Sequence, residues 1–254
     1  MTVVTHNVGD THERTVPVDR IAAAYRDLPA PDVVLLQEVS SQGRLIALRR
    51  SLEAIAGRGY DYAYCLPIGL GILAAGRIES RRTFVAPSSQ IRYGAFAASV
   101  TIGDATLDAV SVHLDPVLKT RDRHGWSVAS GLLLQLVAEV ALPTVRSRMA
   151  EEITEWISRW RTNPVVIGGD FNTVPQSTAL RAMRRAYRDA AAGTQAACSG
   201  TYWKIRGPEP RIDFVFHSQD LEARDARVVR YRAGDHYPVV ATLEASGTAA
   251  PLPG

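Results

Sequence analysis

Residues 32–39 read DVVLLQEV. Val33, Val34, Leu35 and Leu36 make a short, fully apolar run between Asp32 and the polar pair Gln37 and Glu38, which predicts a strand over Asp32–Gln37. Working outward, Thr2–Asn7 reads as an earlier strand, and Ile21, Tyr25 and Leu28 mark a helical face between the two. On the other side Leu45, Leu48, Leu52 and Ile55 recur at helical spacing, and Gly57 and Gly59 close that helix. Strands follow around Tyr60–Leu66, Gly71–Ala75, Phe96–Ile102 and Thr106–His113. Met149, Ile153, Trp156 and Trp160 form an amphipathic helix leading into a strand at Pro164–Ile167, and Leu180, Met183 and Tyr187 mark another helix. Ile212–Phe216, Ala226–Tyr231 and Tyr237–Leu243 are the last strands. Short apolar strands alternating with helices predict an α/β sandwich. The 254 residues fit one domain over 1–244, and 245–254, rich in small residues and proline, reads as a flexible tail.

Composition narrows the function classes. The net charge of +3 and pI near 9.0 are carried almost wholly by arginine, since Lys119 and Lys204 are the only lysines. That balance suits an anionic substrate but falls short of a dedicated nucleic-acid scaffold. Cys65 and Cys198 could form one bridge, but Cys65 sits in an apolar run and reads more simply as a small buried side chain. With no signal peptide visible, a cytoplasmic monomer is the default expectation, although a secreted chain trimmed of its leader would read the same. One stretch breaks the rhythm: about 116–145 is charged from Lys119 to His124 and strongly apolar from Trp126 to Val145. Gln135 and Glu139 interrupt it, and it is too short for a membrane span of roughly 20 apolar residues. It is expected to form a packed helical cover, with a lipid-facing element as the alternative.

Polar residues recur where apolar strands end. Asn7, Glu38 and His113 close three strands, Asp170 and Asn172 follow VVIGG, Asp213 opens DFVF, and Asp235 with His236 precedes YPVV. Brought to one edge of a sandwich, these groups would form a polar cleft whose oxygen donors suit Mg²⁺ or Mn²⁺. With no cysteine among them, a closed structural zinc site is not expected. Taken singly, each has a plain alternative: a polar strand end for Asn7 or Glu38, a turn former for Asp170 or Asn172, a core histidine for His113 or His236, an edge charge for Asp213.

The order of these residues, in the contexts THNVGD, LLQEV, SVHL, GGDFN, RIDFVF and GDHYPV, resembles the endonuclease/exonuclease/phosphatase superfamily, from Asn7 to Val240. The superfamily includes deoxyribonuclease I, exonuclease III, neutral sphingomyelinases and inositol polyphosphate 5-phosphatases. The resemblance implies a deoxyribonuclease I-like four-layer α/β/β/α sandwich that hydrolyses phosphodiester bonds with Mg²⁺ or Mn²⁺. It makes Glu38 the principal metal ligand, with Asn7 and Asp235 beside it. Asp170 and Asn172 would place the attacking water and the scissile phosphate, or hold a second metal. His236 would contact phosphate or transfer a proton, oriented by Asp213, and His113 would stabilise phosphoryl charge. Arg92 lies where many members carry an arginine before the strand that enters the active edge; it would grip a phosphate or be an ordinary surface arginine. Tyr202 and Trp203 would stack on a base or pack in the core, and His6 and His12 read as surface or supporting residues. Gly69 and Gly71 stand where many members carry an acidic or amide residue, so this strand supplies no side chain to orient His113; Gly234 replaces a common serine before the Asp-His pair.

Among substrates, nucleic acid or a general phosphodiester ranks first and a sphingomyelinase-type lipid second. A phosphomonoester such as an inositol phosphate ranks third. The rival of another class is an inactive binding module on the same fold, against which the full residue set argues.

Overall fold

The computed structural model describes residues 1–10, 15–116, 138–204 and 207–247. Of the expected cover, residues 117–137 lie outside this set, as do His12 and residues 248–254 of the tail. The strands are β1 (Thr2–Asn7), β2 (Val33–Gln37), β3 (Asp61–Cys65), β4 (Leu70–Ala74), β5 (Arg77–Val85) and β6 (Gly94–Ile102). They continue with β7 (Ala105–His113), β8 (Val165–Asp170), β9 (Arg188–Asp189), β10 (Asp213–His217), β11 (Leu221–Val228) and β12 (Val239–Ala245). The helices are α1 (Val18–Ala23), α2 (Gln42–Ala56), α3 (Val145–Ser158) and α4 (Thr178–Ala186).

The described strands form two six-stranded sheets, ordered β11-β12-β1-β2-β4-β3 and β5-β6-β7-β8-β10-β9. The inner faces share one apolar core that includes Val3, Leu35, Ile72, Phe96, Val166 and Val215. The outer faces carry helices. Leu45, Leu48 and Leu52 of α2 pack with Val4, Val34 and Leu36, while Met149 and Ile153 of α3 and Leu180 and Met183 of α4 pack with Val110, Ile167 and Phe214. The layers are therefore α/β/β/α, as expected from the resemblance. DVVLLQEV is apolar throughout because β2, inside its sheet, has core on both faces.

Local signals fix the helix ends. Ser41 caps α2 by accepting from the Arg44 amide at 3.2 Å, and Gly57 ends it at φ 66°. Thr144 and Ser147 form a reciprocal capping box at α3.

The outline from sequence differs in several places; the short β9 was not expected, and the strand expected over Ala226–Tyr231 is β11, Leu221–Val228. β5 was not expected, because its residues alternate without a buried position; it is an edge strand guarded by Arg77, Arg81 and Arg82. α1 ends at Ala23, so Tyr25 and Leu28 belong to the turns after it, although Tyr25 stays buried. β8 runs on through Gly168 and Gly169 to Asp170. At Gly168 a Cβ would stand 2.7 Å from Leu35 and 2.9 Å from Thr5, so glycine lets the two sheets close just beneath the polar edge. A buried ladder fills the space there: Thr5 Oγ1 to Gln37 Oε1 at 3.4 Å, Gln37 Nε2 to Ser111 Oγ at 2.9 Å, and Ser111 Oγ to the Leu36 carbonyl at 3.0 Å. Cys65 is buried and Cys198 exposed, and both are free, so the bridge alternative fails.

Candidate active site

Strand register assembles one half of the site. β7 and β8 run parallel with His113 opposite Asp170, and β8 and β10 run antiparallel with Asp170 opposite Asp213. Residues opposite one another on neighbouring strands point to the same face. His113, Asp170 and Asp213 therefore stand side by side at one level, which residue spacing could not show. The facing sheet brings Asn7 at the end of β1 beside Gln37 at the end of β2, with Glu38 one residue further.

The two halves meet at Asp170. Its Oδ2 accepts from Asn7 Nδ2 at 3.0 Å, across the sandwich. The same oxygen lies 3.6 Å from His113 Nε2 and 3.7 Å from His236 Nε2, and Oδ1 accepts from the Asn172 amide at 2.8 Å. Glu38 Oε1 approaches His113 Nε2 from the other side, at 3.9 Å. His236 Nδ1 lies 2.9 Å from Asp213 Oδ2. Asp235 is half-buried, and its carbonyl accepts from the Trp203 amide at 3.1 Å.

Two of these residues sit in the left-handed region: Glu38 at φ 53° and Asn172 at φ 49°. Asparagine tolerates that conformation, but glutamate does not favour it, and such positions cost about 1–3 kcal/mol each unless the surroundings enforce them. At Glu38 they do. The Val39 amide donates to the Gly69 carbonyl at 2.9 Å and the Asp10 amide to the Glu38 carbonyl at 3.1 Å. Buried Asp10 then accepts from Ser40 Oγ at 2.6 Å, Arg44 Nε at 2.9 Å and the Val16 amide at 3.1 Å, tying the segments after β1 and β2 together. Burial opposes charge on Asp10, but those donors outweigh it and hold its carboxyl below the usual range. Sequence reasoning passed over Asp10, whose signal was a lone acid three residues past a strand end.

Gly69 and Gly71 have their own reasons. Gly69 adopts φ 60° with a Cβ position 3.2 Å from the Val39 carbonyl, and a Cβ at Gly71 would point at Leu45 of α2, 3.0 Å away. Neither direction leads to His113. That ring is fixed instead by Tyr93, stacked on it with centroids 4.0 Å apart, and by Glu38 and Asp170. Tyr93 was also missed. Burial first, then the charges of Glu38, Asp170 and Asp115, push its phenol up to about 12. Its neighbour Arg92 is exposed, at φ 65°. A Cβ at Gly234 would lie 2.8 Å from the Val8 carbonyl, so glycine lets the Asp235–His236 turn close on β1.

His6 corrects the surface reading. It is fully buried, with Nδ1 3.0 Å from the Tyr25 hydroxyl, because alternation along β1 turns it toward the outer helical layer while Asn7 faces the site. Burial, and then the neighbouring His236 charge, lower it to about 3, so it is neutral. Tyr202 lies against His236, with ring centroids 5.0 Å apart, while Trp203 faces Arg232 at 4.8 Å and Lys204 at 5.6 Å.

Burial pushes the Asp170 carboxyl up to about 7; His236 opposes that rise and Asp213 adds to it. Burial also works against a charged His236, but Asp213, Asp170 and Asp235 together outweigh it and raise its value from 6.5 to about 10. A value raised on folding means that the proton stabilises the fold fully below about pH 6.5, and that this contribution is lost as pH climbs toward 10. Thermal melts of metal-free protein should therefore decline over that window more steeply for the natural chain than for His236→Gln. Parallel curves would contradict the assignment.

Among the described residues, Asp170, Asp213 and His236 form the one trio whose carboxylate and imidazole atoms all lie within 4.8 Å of one another. Asp213 already faces His236 Nδ1 at hydrogen-bond distance, so we read these three as an ion-paired acid/base group rather than a cation cage. Of the five residues expected to hold metal, Asp170 alone belongs to it.

The endonuclease/exonuclease/phosphatase family model matches residues 4–236, nearly the whole chain. The chain belongs to that family. Phosphoester hydrolysis is its general chemistry. Solved structures agree on the fold. A family member from Leptotrichia buccalis superposes with a TM-score of 0.70 at 16% identity, covering 96% of this chain and 99% of the other. D. rerio TDP2 complexed with a single-strand DNA product gives 0.69 at 16% identity, with 96% and 99% covered. A family member from Beutenbergia cavernae gives 0.66 at 19%, covering 97% of this chain and 72% of the other. No curated protein matches the sequence.

Proposed function

We propose that this protein is a Mg²⁺- or Mn²⁺-dependent phosphodiesterase whose substrate is nucleic acid. The observation that carries the reading is the convergence of Asn7, His113, His236 and Asn172 on the single buried carboxylate of Asp170, where the two sheets meet.

The donors fit a hard divalent cation: carboxylate and amide oxygens from Glu38, Asp235 and Asn7, with no thiolate among them. Glu38, with Asn7 and Asp235, would hold the ion. Once bound, it would neutralise phosphoryl oxygens and acidify a water. The remaining work falls to the chain. Asp170, deprotonated, accepts a proton from the attacking water. His236, its Nδ1 held by Asp213, presents Nε2–H to a phosphoryl or leaving oxygen, and His113, clamped by Tyr93, donates to a second oxygen. Asn172 places the phosphate beside them, and exposed Arg92 adds a contact from the loop that carries Tyr93.

Nucleic acid is favoured by the arginine-rich basic balance and by the aromatic and cationic residues beside His236: Tyr202, Trp203, Lys204 and Arg232. The resemblance in fold to TDP2 complexed with single-strand DNA is consistent with it. Val140 and Leu142, both exposed where the apolar stretch ends, motivate lipid as the second reading. No described helix is long and apolar enough to cross a membrane. A turnover panel decides between them: plasmid and single-stranded DNA, RNA, bis-p-nitrophenyl phosphate, sphingomyelin and an inositol polyphosphate, each with Mg²⁺ or Mn²⁺. Cleavage of the nucleic acids is expected. Turnover of sphingomyelin alone would transfer the assignment to lipid, and no turnover on any substrate would favour a binding module.

A further inference from the structure

A second buried ionic group lies beside the polar edge. Glu139, only 1% exposed, belongs to the helical residues 138–141 at the end of the apolar stretch. Its Oε2 accepts from Thr173 Oγ1 at 2.8 Å and its Oε1 from Arg146 of α3. Arg146 Nη1 in turn donates to the Asp115 carbonyl at 3.0 Å. One ion pair therefore joins the loop after β7, two residues beyond His113, to the loop after β8, one residue beyond Asn172. The two loops are also joined directly by Asn172 Nδ2, which donates to the Leu114 carbonyl at 2.9 Å. The 138–142 segment is itself bolted to α4: Thr178 Oγ1 donates to the Leu142 carbonyl at 3.0 Å and Arg181 Nη2 to that of Val140 at 2.8 Å.

Packing alone does not call for this arrangement. A buried ion pair is seldom better for stability than apolar residues of the same volume. What it adds is direction: two fixed oxygens, each with its own donor. Asn172 sits in the left-handed region, and a residue held there stays only when its neighbours over-determine it. Beside Asp170 and Leu114, fully buried Thr173 is one such neighbour, and Glu139 is what its hydroxyl grips.

We infer that Glu139, locked by Arg146, is a positioning residue: through Thr173 it holds Asn172, and so the Asp170 edge, in the geometry that phosphodiester hydrolysis needs. This rests on the proposed reading of that edge as the hydrolytic site.

The test compares Thr173→Val, Thr173→Ser and Glu139→Gln with the natural chain, using bis-p-nitrophenyl phosphate and Mn²⁺. Hydrogen–deuterium exchange of the peptide over residues 170–174 is followed in parallel in metal-free protein. Thr173→Val and Glu139→Gln should lower kcat by about 10-fold or more while KM stays within about twofold, because a misplaced catalytic group costs rate rather than affinity. Thr173→Ser, which restores the hydroxyl, should return kcat to within about twofold of the natural value. Exchange over 170–174 should quicken in Thr173→Val and Glu139→Gln and stay unchanged in β10. Natural kcat and natural exchange in a folded Thr173→Val would overturn the inference, as would a Thr173→Ser no better than Thr173→Val. If the natural chain hydrolyses nothing, the proposed function falls. The exchange arm still judges the clamp, since unchanged exchange in both variants refutes it and faster exchange confined to 170–174 supports it.

Discussion

Asp170→Ala should reduce hydrolysis of bis-p-nitrophenyl phosphate by on the order of 10³-fold, the upper range for one electrostatic group in a dry site. The reason lies in how many partners depend on this carboxylate. Asn7 spans the sandwich to reach it, His113 and His236 approach it from either side, and the Asn172 amide is fixed by its other oxygen. Asp170→Asn keeps the shape but loses the charge and the basicity, so it should fall nearly as far. The fold should survive both changes, since the apolar clusters that hold the sheets and helices together do not include this position. Circular dichroism checks that. A folded Asp170→Asn retaining activity to within about tenfold would remove the carboxylate from the mechanism.

The second large effect belongs to the His236–Asp213 pair. A neutral imidazole can donate from one nitrogen only, so the group at Nδ1 decides what Nε2 can do. Asp213 accepts from Nδ1 at 2.9 Å, which would leave a neutral ring without a proton on Nε2, and it favours the charged ring, which carries one there. His236→Ala and Asp213→Ala should each lower kcat by ~10²-fold or more. The double variant should be little worse than His236→Ala, because residues that act as a unit lose their function once. Strictly additive losses in log rate would show two independent roles.

What could be read in the sequence, and what could not, follows from the range of each signal. Buried strands such as Val33–Gln37 announce themselves by apolar runs, and the polar residues ending them pointed to a common edge. No residue of β5 is fully buried, so it carries no clear hydrophobic period. β8 was cut short at Ile167 because glycine is a poor strand former, whereas here Gly168 is what lets the sheets meet. The individual candidate residues could be picked out because each sits near a strand end within a recognisable context. Their supports were not. The register that aligns His113, Asp170 and Asp213, the stacking of Tyr93 and the Asp10–Arg44 tie are relations between distant segments. Glu139 did carry a signal. A lone carboxylate in an apolar stretch is rarely buried unless paired, and it was first read only as an interruption.

One titration tests metal dependence directly. The protein is stripped with EDTA, dialysed, and assayed on bis-p-nitrophenyl phosphate as Mg²⁺ or Mn²⁺ is added back, for the natural chain and for Glu38→Ala. No turnover is expected in the stripped protein, with saturable recovery in the natural chain and none in a folded Glu38→Ala. Full activity in excess EDTA, or equal recovery in Glu38→Ala, would contradict metal dependence through Glu38.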